Sequence, residues 1–183
     1  FLSVDVLLVK HFFNESQSGQ YALLSLTGKM IYFLGALPMV FIVTLVSWRD
    51  GLKQSSKKVL STIFSCVLAL VTLGVGTFGV FGFIPTPILF GEKAREVVEW
   101  LPLYTLSIAL FTRSNVLVTY HLAKRRYSFS VVSLGFSLAM IAGIWFDHDE
   151  FKDVIDTIFV TSLLSLIIFS GMHFFGLRLE FLA

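Results

Sequence analysis

Apolar residues run almost unbroken over stretches of about 20 positions, divided by short polar or charged clusters. At 1.5 Å per residue, a helix needs roughly 20 such residues to cross a hydrocarbon core of about 30 Å. The pattern predicts six helical segments. The first, at about 1–13, is an incomplete span that carries Asp5. A polar turn at 14–19 leads to a span at about 20–46, where Pro38 predicts a kink. Membrane helices tolerate such a proline when neighbours satisfy the freed carbonyl. A basic loop at 47–58 precedes a span at about 59–83, which Pro85 and Pro87 stop. Residues 91–99 suit a short amphipathic turn at the interface. Three further spans follow at about 100–121, 128–146 and 154–176. Membrane strands would need only about 9–11 residues each, in strict alternation, which these runs lack. The fold class is therefore all-α, a polytopic membrane bundle of about six transmembrane helices.

Composition narrows the reading. The chain has 183 residues, 56% hydrophobic and only 14% charged, with mean hydropathy +0.84. A soluble domain carries about a quarter charged residues, so too little polar surface remains to cover a water-exposed globule. Six spans use about 120 residues and leave about 60 for turns and tails, with no room for a separate soluble catalytic domain. Cys66 stands alone, which excludes a disulfide scaffold. A net charge of +2 is too small to suggest a nucleic-acid partner. The chain is already apolar at Phe1, and Lys10 and His11 follow the apolar stretch instead of preceding it, unlike a signal peptide. It reads as a fragment cut from a longer membrane protein.

Orientation follows from the bases near span ends. Arg49, Lys53, Lys57, Lys58, Lys124, Arg125, Arg126 and Arg178 lie on one side, and Lys10, Lys93, Arg95 and Lys152 on the other. The second group is interspersed with acids. The first side is expected in the cytoplasm. Trp48, Trp100 and Trp145 each fall at a span end, as an interfacial belt requires.

Ionisable groups inside the spans are the sharpest clues, because burying one costs several kcal/mol unless it is paired or hydrated. Lys29 lies about 15 Å below the outer turn and Asp5 about 13 Å, by helical rise. Neighbouring antiparallel helices would bring the two level, either as an ion pair holding the hairpin or as a charged element of a polar cavity. Arg113 lies roughly 20 Å down its span. Thr112, Asn115 and Thr119 follow at i, i+3 and i+7 along one helix face. A guanidinium beside that stripe suits a hydrated cavity for phosphate or pyrophosphate, which arginine matches with two parallel hydrogen bonds. The plainer alternative is that Arg113 snorkels to the headgroups. His121, His173 and Asp156 read as polar residues near span ends.

Two motif matches fail on context. Gly74 to Gly79 spells G-x-G-x-x-G, but a dinucleotide site needs that string between a strand and a helix, and here it ends an apolar span. Gly76, Gly79 and Gly82 instead offer a flat surface for close helix packing. His148 and Asp153 have the H-x-x-x-x-D spacing of some membrane acyltransferases, but lie in a short acidic turn without a substrate motif. Asp147, His148 and Asp149 are consecutive and converge poorly on a metal. No catalytic residue, metal or cofactor is assigned.

The intramembrane Asp5, the Gly19-Gln20-Tyr21 start of the second span, Leu89-Phe90-Gly91 and the Leu122-Ala123-Lys124-Arg125 end of a polar span form a combined pattern. In it the chain resembles the bacterial polysaccharide (O-antigen type) flippases of the multidrug/oligosaccharidyl-lipid/polysaccharide exporter superfamily. The resemblance covers most of residues 1–130. It implies part of the C-terminal lobe of a two-lobe MATE-like transporter, with the N-terminal lobe elsewhere in the same chain. It further implies a multi-pass protein of the bacterial inner membrane. That protein would flip undecaprenyl-pyrophosphate-linked oligosaccharide to the outer leaflet by rocking of the lobes. Lys29 and Arg113, with Asn115 nearby, would receive the anionic substrate, and Asp5 would orient Lys29. Two deep bases outweigh the intramembrane acids, which disfavours a cation-coupled multidrug antiporter; a lipid II flippase stays close, and a membrane-embedded transferase is a further alternative.

Overall fold

The computed structural model describes residues 3–175. These residues are helical, with no strand among them. Helix α1 (Val4–Phe12) is followed by α2 (Glu15–Gly51) and α3 (Lys57–Gly74), which continues into a π-helical segment at Val75–Val80. Next come α4 (Pro85–Phe90) and a 3₁₀ segment (Glu92–Trp100), then α5 (Leu101–Ala123), α6 (Ser128–Phe146) and α7 (Phe151–Phe175). Five of these stretches are long and apolar enough to cross a bilayer: Glu15–Gly51, Lys57–Val80, Glu92–Ala123, Ser128–Phe146 and Phe151–Phe175. At nine residues, α1 is about 13 Å long, too short to cross a bilayer, and occupies the segment expected from the sequence as an incomplete span. Arg178, counted above for orientation, lies outside the described residues.

Local chemistry sets the boundaries. Residues 14–19, expected as a turn, are instead the cap and first turn of α2. Asn14 accepts a hydrogen bond from the Gln17 amide at 2.9 Å, and Glu15 sits at the positive end of the helix dipole. The hairpin turn therefore shrinks to residues 13 and 14. Helix α2 runs through Pro38 and consumes part of the expected basic loop, ending only at Gly51. It closes in a Schellman arrangement, with the Lys53 amide on the Asp50 carbonyl and the Gln54 amide on the Arg49 carbonyl. Helix α5 ends the same way, Arg125 to Leu122 and Arg126 to His121, each at 2.9 Å. Gly91 adopts φ +83° between α4 and the 3₁₀ segment, a conformation that costs glycine nothing. The amphipathic turn expected at 91–99 is that 3₁₀ segment, with Ala94 and Val97 buried beneath it.

Helix α5 is the central element. Thirteen of its 23 residues are buried, against three of 19 on α6, so α5 is surrounded by protein while α6 faces outward. It packs chiefly on α7, α2, the π-helical segment and α3. One apolar core gathers Ile31, Val67, Val71, Val116 and Phe169, and a second, toward the opposite end, gathers Leu24, Met140, Ile155 and Ile158. Small residues bring the backbones close. A Cβ on Gly35 would sit 2.6 Å from Thr112 Cγ2 and 2.7 Å from Val71 Cγ2, so α2 meets α3 and α5 there without side-chain clearance. The glycine surface expected at Gly76, Gly79 and Gly82 is only partly used. Gly79 faces Thr105 and Gly82 faces Leu101, but Gly76 meets nothing, because the π-helical turn rotates it away.

Candidate functional site

Helix α5 carries many hydroxyl groups, and most are engaged locally. Thr105, Ser107, Thr112 and Ser114 each donate to the carbonyl four residues earlier, at 2.6–3.1 Å. Such bonds satisfy a hydroxyl in lipid without presenting it to a ligand. Ser114 also meets Ser165 of α7 at 3.0 Å, a cross-helix contact beside a small polar void that Asn115, Ser133 and Thr161 help to line. The groups left over lie at three levels of the helix.

At the end where α1 and α2 turn, Asp5 is buried with 4% of its surface exposed. Its Oδ2 accepts two phenolic hydrogens, from Tyr21 at 2.9 Å and Tyr104 at 3.1 Å. Its Oδ1 is buried without a partner among the described residues. The expected match of Asp5 with Lys29 is not made. With a two-residue turn, Asp5 lies about 10 Å from the end of α1, while Lys29 lies about 21 Å into α2. The residue of α2 that comes level with Asp5 is Tyr21. Lys29 is half-buried on α2 and forms no ion pair within 4 Å among the described residues.

Near the midpoint of α5, Arg113 is half-buried and donates through Nη2 to Thr72 of α3 at 3.4 Å. Its Nε is buried without a partner, and no acid pairs with it among the described residues. The neighbouring face of α3 and the π-helical segment forms an open, mostly apolar groove of about 620 Å³, where Leu68, Leu73 and Phe81 lie alongside Ser65, Thr72 and Thr77. Asn115 points elsewhere. Its Nδ2 donates to Tyr32 of α2 at 3.5 Å, since residues two apart on a helix face nearly opposite ways. Thr112 is fully buried against Gly35. The structure thus separates Arg113 from Asn115, and it unites neither Lys29 with Asp5 nor Lys29 with Arg113 by any hydrogen bond or ion pair.

At the basic end, His121 of α5 and His173 of α7 hydrogen-bond, Nε2 to Nδ1, at 2.9 Å. The His121 ring stacks on Phe129 at 3.7 Å between centroids, and its Nδ1 has no partner among the described residues. Read singly, each histidine was an interfacial polar residue; lateral packing of α5 on α7 makes them a pair. Lys124 reaches Asp50 at 3.8 Å.

The rejected acyltransferase spacing has local uses. His148 stacks on Phe12 at 3.9 Å, and Asp153 accepts from the Glu150 amide at 2.7 Å in the turn that opens α7. Asp156, one turn further on, is half-buried. No protein-family profile, no curated protein and no solved structure matches this chain.

Proposed function

We propose that this chain is part of a multi-pass transporter of the bacterial inner membrane. In this reading it moves undecaprenyl-pyrophosphate-linked oligosaccharide from the inner to the outer leaflet, for polysaccharide or O-antigen biosynthesis, without making or breaking covalent bonds. One observation carries it: Arg113. From Leu101 it lies about 18 Å along α5, and from Ala123 about 15 Å, so it sits near mid-membrane depth. It has a hydroxyl contact and no counter-ion among the described residues. A base held at that depth is costly, and an anionic cargo is the partner that would compensate it. The groove of α3 in front of Thr72 is mostly apolar and offers such a cargo the Ser65 and Thr72 hydroxyls as polar points, and the exposed faces of α2 and α3 suit contact with a second lobe.

A second reading, a cation-coupled antiporter of the same superfamily, is favoured by Asp5, a buried acid with one oxygen unpartnered and no base paired with it among the described residues. The two separate by mutation in the complete protein. In the glycolipid reading, Arg113→Ala abolishes export of lipid-linked glycan while membrane levels of the protein hold. Unchanged export would remove Arg113 from the mechanism and with it the support for this reading. Loss of drug efflux on Asp5→Asn, with glycan export intact, would favour the antiporter.

A further inference from the structure

The basic end of the bundle holds a cleft of about 690 Å³ between α3, α5 and α7. Among the described residues three bases line it, Lys57, Lys124 and Arg126, and no acid does. They arrive from the start of α3 and from the two residues that close α5. The Schellman turn, with Arg125 at φ +58°, is what brings Arg126 back over His121. Asp50 pairs with Lys124 from outside the lining and leaves Lys57 and Arg126, both exposed, without an acidic partner among the described residues.

Two further observations single out this cleft from an ordinary basic membrane edge. His121 lines it, is 2% exposed and keeps a ring nitrogen without a partner among the described residues. In addition, the N-cap Ser56 of α3 makes no capping bond, its hydroxyl sharing a hydrogen bond with that of Tyr120 at 3.3 Å. Of the first-turn amides, that of Lys57 donates to the Ser55 hydroxyl at 3.4 Å, so the start of α3 keeps a helix N-terminus's preference for an anion. Farther along the helices from the polar rim the wall turns apolar at Leu60, Phe64 and Leu117. The lining therefore changes from cationic to hydrocarbon-like over one cleft.

We propose that this cleft seats the phosphate group of an anionic membrane lipid, with Lys57 and Arg126 as its principal cations and the first methylenes of the lipid along Leu60 and Phe64. The proposal does not rest on the transport reading, since a resident phospholipid and a pyrophosphate-linked carrier lipid share this chemistry.

The test is native mass spectrometry of the purified full-length protein. The probes are phosphatidylglycerol, phosphatidylcholine with the same acyl chains, undecaprenyl pyrophosphate and inorganic pyrophosphate. Basic side chains near a membrane surface each contribute about 1 kcal/mol, so the double variant Lys57→Ala/Arg126→Ala loses about 30-fold in anionic-lipid retention. The double variant Lys53→Ala/Lys58→Ala removes equal charge from exposed positions of the same end outside the cleft, and stays within about twofold. A preference for undecaprenyl pyrophosphate identifies the carrier lipid, and equal or better retention of phosphatidylglycerol identifies a resident lipid; both support the site. Equal losses in the two double variants, or equal retention of phosphatidylcholine, would overturn it. So would displacement of bound lipid by an equimolar amount of inorganic pyrophosphate, which would leave the apolar wall without a role.

Discussion

The Asp5 node gives the most direct test of the packing. Tyr21 and Tyr104 are almost fully buried, and both donate to the same carboxylate oxygen. Replacing either by Phe keeps the ring, and with it the edge-on contact between the two rings at 6.0 Å. Only the hydroxyl is lost. A hydrogen bond to a charged group contributes about 1.5–3 kcal/mol in a soluble protein, but cross-helix polar contacts in membranes average about 0.6 and reach about 1.7. Each single variant is therefore expected to lose about 1 kcal/mol. In either one, Oδ2 retains a donor; in the double variant it has none. The double loss should exceed the sum of the singles by about 1 kcal/mol, the sign of coupling expected when two groups share one partner. Asp5→Asn keeps a carbonyl oxygen for both phenols and should lose less than the double variant. Equilibrium unfolding in mixed micelles, followed by helicity at fixed detergent composition, measures all four proteins. Additive losses below about 0.3 kcal/mol would mean that the carboxylate is hydrated or satisfied elsewhere, and the description of a dry, shared acceptor would be wrong.

Two further predictions use the same unfolding assay. Gly35→Ala should destabilise by about 1–3 kcal/mol, because its Cβ meets Thr112 and Val71 side chains that are themselves packed, whereas Gly19→Ala, on the same helix with nothing within 4 Å, should be neutral or slightly stabilising. Arg125→Gly should stabilise by about 1 kcal/mol, since it relieves a left-handed residue at φ +58° whose side chain does not line the basic cleft.

The helical spans were legible because lipid demands long uninterrupted apolar runs, and α6 begins and ends where the pattern places it, at Ser128 and Phe146. Boundaries depended on finer chemistry. Asn14 and Gln17 carry an N-cap signature that a reading by polarity alone turns into a loop, and that error propagates. It moves Lys29 up and Asp5 down until they look level, when about 10 Å separates their depths. The stripe of Thr112 and Asn115 beside Arg113 failed for a different reason. Hydropathy along one helix says which residues are polar, but the neighbours decide which face each polar side chain finds, and here Arg113 meets α3 while Asn115 meets α2. The pair of His121 with His173, and the meeting of Tyr21 with Tyr104 at Asp5, are contacts between helices up to 99 residues apart in sequence, which no local period encodes.

The distribution of satisfied and unsatisfied polar groups separates architecture from chemistry in this bundle. The hydroxyls of Thr105, Ser107, Thr112 and Ser114 bond to their own helix, so a bilayer can hold them at little cost and they impose no demand on a partner. Seven buried side-chain atoms have no hydrogen-bond partner among the described residues: one each on Ser25, Thr86, His148 and Ser162, and three on ionisable groups on or against α5, Asp5 Oδ1, Arg113 Nε and His121 Nδ1. A packed apolar residue at any of these positions would avoid that cost, since replacing buried ionic groups by hydrophobic ones is often neutral or stabilising. Holding the helices together accounts for the phenol bonds of Asp5, but not for the atoms left over on the acid, the guanidinium and the imidazole. Asp5 meets α5 at Tyr104, Arg113 follows nine residues later and His121 eight after that, so polar groups with residual hydrogen-bonding capacity recur about every 12–14 Å along α5. In the transport proposal, a cargo with a charged headgroup would meet these levels in succession as it crosses the bundle.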